Sequence, residues 1–242
     1  MPAAGGRVFR AARRAWKIFC YGLGALVVVV FAVQCWFYSH VLWWRSFEPA
    51  ASAFMEARLE QLREKDPQAK LAHQWIAYER ISAPLKRAVV AAEDAKFVDH
   101  EGFDWQAISK AIEKNERKGR VVSGASTISQ QLAKNLFLSG ERSWLRKAQE
   151  AVITWMLESA LSKRRILELY LNCAEWGEGV FGAEAAARYH FGISAGALNA
   201  QQAAFLAAIL PSQRRYVPGH LTPYVAGRIE TILARMPAAQ IP

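Results

Sequence analysis

The chain has 242 residues, of which 52% are hydrophobic and 21% are charged, and its formal net charge is +10. This length allows one sizeable hydrophobic core and a tail. The positive excess suits an anionic membrane surface or a phosphate ligand, but it is too diffuse to favour nucleic-acid binding, and no nucleic-acid motif accompanies it.

The first 44 residues have the charge pattern of a membrane anchor. Five basic residues and no acidic residue lie within residues 1–17, and the segment from Ile18 to Trp44 has no Asp, Glu, Lys or Arg. This segment exceeds the about 20 apolar residues that a spanning helix needs. We therefore predict a cytoplasmic basic tail over 1–17 and a transmembrane helix over 18–44, with the rest of the chain outside the cytoplasm. A cleaved signal peptide is the alternative, which the long apolar run disfavours.

Residues 45–80 are predicted to be a connector, because prolines flank a stretch that is rich in helix-forming residues. From residue 81 onward, apolar residues recur with helical spacing, and strand-like alternation is nearly absent. The predicted helices cover, in chain order, residues 84 to about 100, 105–118, 126 to about 137, 144 to about 162, 163 to about 174, 183–191 and 199–210. Residues 81–242 are therefore predicted to form a single all-α domain.

The first polar segment begins at Glu93, directly after the apolar run from Ala88 to Ala92. On a helix, Glu93, Phe97 and His100 share one face. Partial burial beside the apolar run would raise the pKa of the Glu93 carboxyl, which suits a general base. The simpler interpretation is a surface glutamate on a core helix, with His100 as a structural hydrogen-bonding residue.

The second polar segment runs from Gly124 to Asn135. Gln131, Lys134 and Asn135 share a helical face, and the hydroxyls of Ser126 and the residue after it stand at the predicted start of the helix. A helix N-terminus with free N–H groups and hydroxyls is suited to bind an anion. An ordinary amphipathic helix with its polar face in solvent is the alternative.

The third polar segment contains Arg146, Lys147 and Glu150. Arg146 and Glu150 are four residues apart, so an ordinary ion pair on a helix face is one interpretation. In the other, Glu150 is held by its basic neighbours or binds a hard divalent cation. Two carboxylates in one cleft can divide acid and base roles, and cations beside one of them can hold a phosphate leaving group. That combination points to glycosyl transfer from a phosphate-activated sugar.

A glycine-rich segment, from Gly177 to Gly182, matches the dinucleotide fingerprint G-x-G-x-x-G. That fingerprint has to follow a strand and precede an acidic residue about 20 residues further on. Here it follows a predicted helix, and Gln201 and Gln202 stand where the acid would be. A tight loop is therefore the preferred interpretation, and we expect no organic cofactor.

Together these segments form an ordered set of motifs. They are E-D-x-x-F-x-x-H-x-G from Glu93, G-x-S-T-I-x-Q-Q-L-x-K-N from Gly124, R-K-x-x-E from Arg146 and K-x-x-I-L-E-x-Y-L-N from Lys163. The set resembles the peptidoglycan glycosyltransferase domain of family 51, over roughly residues 80–215. Since no transpeptidase domain follows in this sequence, the chain is most similar to the monofunctional members of that family.

The resemblance implies a two-lobed, lysozyme-like helical domain on the outer face of the cytoplasmic (inner) membrane. It implies that the enzyme joins lipid II, a disaccharide-pentapeptide on undecaprenyl pyrophosphate, into linear glycan strands and releases the lipid pyrophosphate. Lipid II and the growing glycan chain would be its ligands, and unnamed wall-synthesis or division proteins are candidate partners. Residues 105–127 correspond to a part of the family that contacts lipid, although an amphipathic helix and loop is an equally good interpretation.

The resemblance also implies roles for the motif residues. Glu93 would be the general base on the acceptor hydroxyl, with inversion at the donor anomeric carbon. Glu150 would be the second catalytic acid and would organise Arg146 and Lys147, or Mg²⁺ or another divalent cation, around the donor pyrophosphate. The further residues expected to line the site or to contact phosphate are Ser126, Gln131, Lys134, Asn135 and Lys163.

Two other functions are compatible with parts of this pattern. A lysozyme-like lytic enzyme would also use a catalytic glutamate on a helical fold, but it would not need cations for a phosphate leaving group. A non-catalytic membrane scaffold for wall synthesis would not need the acids and bases that all the motifs retain.

Overall fold

The structure is a computed structural model, and it describes residues 5–120, 124–138, 143–211 and 222–242. Internal contacts divide the chain into two compact units, Met1–His40 and Val41–Pro242. The first four residues of the predicted basic tail lie outside the described residues, as do Val121 and Val122 of the predicted lipid-contacting segment.

Most of the first unit belongs to helix α1 (Gly5–Trp43), whose stretch from Ala12 to Trp43 is long and apolar enough to cross a membrane. Apolar side chains along it are exposed, among them Val28 at 67% and Phe31 at 68%. So many exposed apolar side chains suit lipid better than water. The prediction of one N-terminal apolar helix is confirmed, and this helix fits a single-pass membrane anchor.

The second unit is mostly helical, as predicted. Its helices are α2 (Ala53–Arg63), α3 (Ala83–Glu93), α4 (Trp105–Lys118), α5 (Ile128–Phe137), α6 (Trp144–Ala160), α7 (Lys163–Cys173), α8 (Ala183–Phe191), α9 (Ala200–Ile209) and α10 (Pro223–Arg235). Helix α9 packs against both α3 and α10, and α5 packs against α2, α6 and α7. The last of these helices, α10, has no counterpart among the predicted ones.

Local capping explains why most helix limits follow from the sequence. Asp104 accepts a hydrogen bond from the N–H of Ala107 at the start of α4, and Gly119 ends that helix in the left-handed conformation (φ 60°). At α5, Thr127 and Gln130 form a reciprocal capping box. These are short-range interactions, so residue type and spacing reveal them.

Three short strands accompany the helices within the described residues, and they leave the predicted, mostly helical fold class unchanged. Strand β1 (Ala72–His73) pairs in parallel with β3 (Val180–Phe181), which pairs antiparallel with β2 (Glu175–Gly177). Strands of two or three residues are too short to produce a recognisable alternation. The G-x-G-x-x-G segment therefore forms the hairpin between β2 and β3, with Gly179 at φ 71°, rather than a phosphate-binding turn.

Residues 45–80, predicted to be a connector, lie within the second compact unit. Helix α2 packs against α5. Its Arg58 side chain donates from Nε to Glu175 Oε1 at 2.8 Å, and the two side chains are 7% and 0% exposed. The composition of this segment does not reveal such a buried ion pair, because its partners are more than a hundred residues apart in the chain.

Candidate active site

Glu93 is the last residue of α3, and its side chain is 13% exposed. The prediction that the helix continues to about residue 100, with Glu93, Phe97 and His100 on one face, is wrong. The backbone leaves helical geometry at Asp94 (φ −161°, ψ 75°). Asp94 Oδ2 instead accepts a hydrogen bond from the backbone N–H of Ile128 at 3.0 Å. This bond joins the end of α3 to the start of α5 and sets Glu93 beside α5.

The loop after Glu93 is held by His100 and Gly102. His100 Nδ1 accepts from the backbone N–H of Gly102 at 3.1 Å, so Nε2 carries the proton and donates to Asp94 Oδ1 at 2.9 Å. Gly102 has φ 87°, and a Cβ there would lie 2.8 Å from Thr154 Cγ2 on α6. Only glycine fits this position. The first motif therefore builds a fixed turn between α3, α5 and α6.

Helix α5 presents two polar side chains toward the carboxylates of the site. Gln131 Nε2 donates to Glu93 Oε2 at 2.9 Å. Lys134, about one turn further along, interacts electrostatically with both Glu93 and Glu150. Burial lowers the pKa of Lys134, and the negative charges of Glu150 and Glu93 oppose that fall. Lys134 thus links the two predicted catalytic acids.

Glu150 lies in the middle of α6 and is 3% exposed. Arg146 Nη1 donates to its Oε2 at 3.1 Å, and Lys147 Nζ donates to its Oε1. Two cations therefore share one buried carboxylate, which is more than an isolated ion pair on a helix face. With Lys134 nearby, this cluster has an excess of positive charge, as a site for an anionic ligand requires.

The surroundings of Glu93 raise the pKa of its carboxyl above the ordinary value of 4.5, mainly because the group is buried. The hydrogen bond from Gln131 and the positive charges of Arg228 and Lys134 oppose the rise, while Asp94 adds to it. A glutamate with a raised pKa is a stronger proton acceptor once it is ionised. The prediction of partial burial after the apolar run agrees with this environment.

Arg228 on α10 faces the carboxylate oxygen of Glu93 that Gln131 does not contact, since its Nη2 lies 3.9 Å from Oε1 and the Gln131 bond is to Oε2. A cavity of about 360 Å³ lies between α3 and α10 and is lined in part by Arg228. Its other lining residues are Ala91, Ala92, Pro223, Tyr224, Gly227, Thr231, Ile232 and Arg235. Open space therefore reaches the guanidinium that faces Glu93.

Sequence reasoning missed two residues of this site. Arg228 lies on a helix that was not predicted, and no motif marks it. Tyr170 on α7 belongs to the motif that begins at Lys163, but helical spacing alone does not reveal that its hydroxyl donates to Gln131 Oε1 at 2.9 Å. Helical spacing does reveal that Tyr170 is buried, but not what its hydroxyl contacts.

The remaining predicted site residues have different surroundings. Ser126 is exposed and directly precedes the cap of α5, and Asn135 is 8% exposed on the same helix. Lys163 Nζ pairs with Glu158 Oε1 at 2.8 Å and lies 4.7 Å from the centre of the Phe97 ring. These contacts account for its position without a ligand, and its predicted contact with phosphate stays a prediction.

Glu150, the predicted ligand of a divalent cation, is already paired with cationic side chains in this structure. Both carboxylate oxygens already accept hydrogen bonds from cationic side chains. Among the residues that the structure describes, no group of three or more His, Cys, Asp or Glu is placed to hold a metal ion. A hard cation requires several oxygen ligands, and its binding at Glu150 stays a prediction.

Comparison with known proteins identifies the family of this chain. The family described as Transglycosylase matches residues 58–237. The biosynthetic peptidoglycan transglycosylase of Nitrosospira multiformis is 56% identical over 227 residues, which is 94% of this chain and 97% of that protein. The protein of the same name from Methylobacillus flagellatus is 55% identical and covers 93% of this chain and 99% of its own length. That from Azoarcus sp. is 56% identical, with coverage of 91% and 96%.

Proposed function

The chain belongs to the transglycosylase family and is a peptidoglycan glycosyltransferase, and on that premise we propose that it polymerises lipid II into linear glycan strands. The observation that supports this substrate best is the pairing of a buried carboxylate with a cationic cluster. Glu93 lies at one end of the candidate site and the Arg146–Lys147–Glu150 cluster at the other. Lys134 interacts electrostatically with both. A sugar carrying a pyrophosphate leaving group requires a base and an anion site in this relation.

In the proposed reaction, Glu93 accepts the proton of the 4-hydroxyl on the acceptor lipid II. That oxygen forms a bond to the anomeric carbon of the donor glycan chain while the bond from this carbon to the pyrophosphate oxygen breaks. Attack from the face opposite the leaving group converts the α-linked donor into a β-linked product. The proton on Glu93 then passes to water, and the ionised base is restored.

The leaving group departs with its negative charge, so its stabilisation is the second task of the site. Arg146 and Lys147 would hold the donor pyrophosphate, and Glu150 keeps both cations in place before the ligand arrives. Lys134 would neutralise charge as the bond breaks. Its burial supports this role, because a cation interacts more strongly with an anion when water is excluded.

We further propose that the N-terminus lies in the cytoplasm and the second unit outside the cytoplasmic membrane. The basic residues in the first part of α1, before its uncharged stretch, support this orientation by the positive-inside tendency. The inner membrane of a cell with a periplasm is the proposed location. Interactions with other wall-synthesis or division proteins stay a prediction.

The proposal predicts that the detergent-solubilised full chain converts labelled lipid II into polymer. Product separation by gel and by lipid extraction measures the conversion, with and without Mg²⁺. Lipid-free glycan strands, incubated in parallel, should remain intact. Cleavage of those strands with no loss of lipid II would instead identify a lytic enzyme. Loss of neither substrate, in several detergents, would contradict catalysis by the chain.

A second prediction follows from the raised pKa of Glu93. The base is active only when ionised, so the rate should rise with pH. The midpoint of this rise, the acid limb of the pH–rate profile, should lie above pH 4.5. The nearby positive charge of Arg228 lowers that pKa, so Arg228→Met should move the limb to higher pH. The measurement is kcat/KM for lipid II between about pH 4 and 8.

Arg235→Met is the matched control, since Arg235 lines the same cavity on the same helix and is not among the groups that shift the pKa of Glu93. Its limb should stay where the limb of the wild type lies. A limb that moves equally in both variants would show that Arg228 has no specific action on Glu93.

A further inference from the structure

A continuous line of hydrogen bonds leads from the interior of the second unit to the proposed base. Tyr170 is 1% exposed, and its hydroxyl lies 2.9 Å from Gln131 Oε1. Gln131 Nε2 in turn lies 2.9 Å from Glu93 Oε2. The three residues come from α7, α5 and α3, so the line crosses three helices and ends at the carboxylate.

The donor and acceptor roles along this line of hydrogen bonds are fixed. An ionised carboxylate can only accept, so Gln131 has to turn its NH₂ group toward Glu93. The amide oxygen then faces Tyr170, which has to donate its hydroxyl proton. Burial and the negative charges of Glu93 and Asp94 raise the pKa of Tyr170 well above its ordinary value of 10.0, so the hydroxyl keeps that proton.

The other groups around Glu93 do not replace this hydrogen bond. Arg228 on α10 faces the other carboxylate oxygen at 3.9 Å, which is an ion pair rather than a hydrogen bond. Lys134 on α5 acts through its charge, and Asp94 is a negative neighbour that donates nothing. Gln131 is therefore the neutral hydrogen-bond donor to Glu93 among these groups. The orientation of its amide decides whether it can donate to the carboxylate.

We propose that Tyr170 is a positioning residue for the reaction, because its hydroxyl locks the Gln131 amide in the one orientation that donates to Glu93. This inference rests on the proposed role of Glu93 as general base. Without the hydroxyl, the amide oxygen of Gln131 loses its donor, and the amide can turn over. Its oxygen would then face the carboxylate, which favours the protonated, inactive form of Glu93.

The expected signature is a shift of the pH profile rather than a uniform loss of rate. In Tyr170→Phe the ring and its packing remain, and only the hydroxyl is removed. The acid limb of kcat/KM should move upward by as much as about one pH unit. The rate should fall up to about tenfold below the limb and return to within a few-fold of the wild type above it.

The experiment is a double-mutant cycle on the full-length chain in detergent, with lipid II as substrate. Gln131→Leu should raise the limb at least as far as Tyr170→Phe does. The acid limb of the double variant should lie at the same pH as that of Gln131→Leu, since Tyr170 acts only through the Gln131 amide. Tyr78→Phe is the matched control, because Tyr78 is also buried and donates its hydroxyl to an acceptor far from Glu93 in the chain, the main-chain oxygen of Pro242. Its limb should not move.

Thermal unfolding of each variant shows whether stability has changed, and an effect on folding alone would reduce the rate at every pH. An unmoved limb in Tyr170→Phe would overturn the proposal, as would a further full shift when Tyr170→Phe is added to Gln131→Leu. These failures differ from failure of the proposed function, in which the wild type leaves lipid II unchanged.

Discussion

Glu93→Gln is expected to reduce the rate of lipid II polymerisation by about 10²–10⁴-fold, the usual contribution of a general base. The amide keeps the shape and most of the contacts of the carboxylate, but it cannot accept the proton of the acceptor hydroxyl. Initial rates of lipid II consumption by the full chain measure the effect. Because the side chain is buried at the end of α3, near-ultraviolet circular dichroism and thermal unfolding should accompany the rates.

The matched control is Glu101→Gln, in the same motif. Glu101 is exposed, so loss of its charge should leave the rate within about twofold of the wild type. A Glu93→Gln variant that folds and keeps more than a tenth of the activity would exclude Glu93 as the base. Attention would then turn to Glu150, although both of its oxygens are engaged by cations in the present geometry.

Local motifs supplied most residues of the candidate site, because these residues occur in short segments with characteristic spacing. Glu93, Gln131 and Lys134 do converge, and Arg146 and Lys147 do share Glu150. Which of these residues lie together was therefore predictable, whereas their roles stay predictions. Its geometry was not, since the contact between Asp94 and the start of α5 ends α3 seven residues before the predicted limit.

The two site residues that were not predicted, Tyr170 and Arg228, were missed for the same reason. Tyr170 and Arg228 act through partners on other helices, and neither has a charged neighbour at helical spacing that would mark it. Capped helix limits such as Asp104 and Gly119 were predictable because the bonds that create them span three residues or fewer. Predictability thus falls as the distance along the chain between interacting residues increases.

The ion pair between Arg58 and Glu175 leads to the second large prediction. Arg58→Met should lower the free energy of unfolding by about 3–5 kcal/mol, because it removes the Arg58 cation from the buried Glu175 carboxylate. Denaturant unfolding of the full chain in detergent, followed by tryptophan fluorescence, measures this loss; Trp176 beside Glu175 is itself fully buried. The exposed pair of Arg117 and Glu113 provides the control, and Arg117→Met should change stability by less than about 0.5 kcal/mol.

The double variant Arg58→Met with Glu175→Gln separates two explanations of such a loss. If the cost arises from an uncompensated buried charge, removal of that charge should restore part of the stability, since the amide oxygen of the substituted side chain can still accept from the N–H of Gly179 as Glu175 does. A loss below about 1 kcal/mol in Arg58→Met would instead mean that α2 contributes little and that residues 45–80 behave as the connector first predicted. The large loss would place the start of the folded unit before α2, and a chain shortened to begin at residue 81 should then fail to fold.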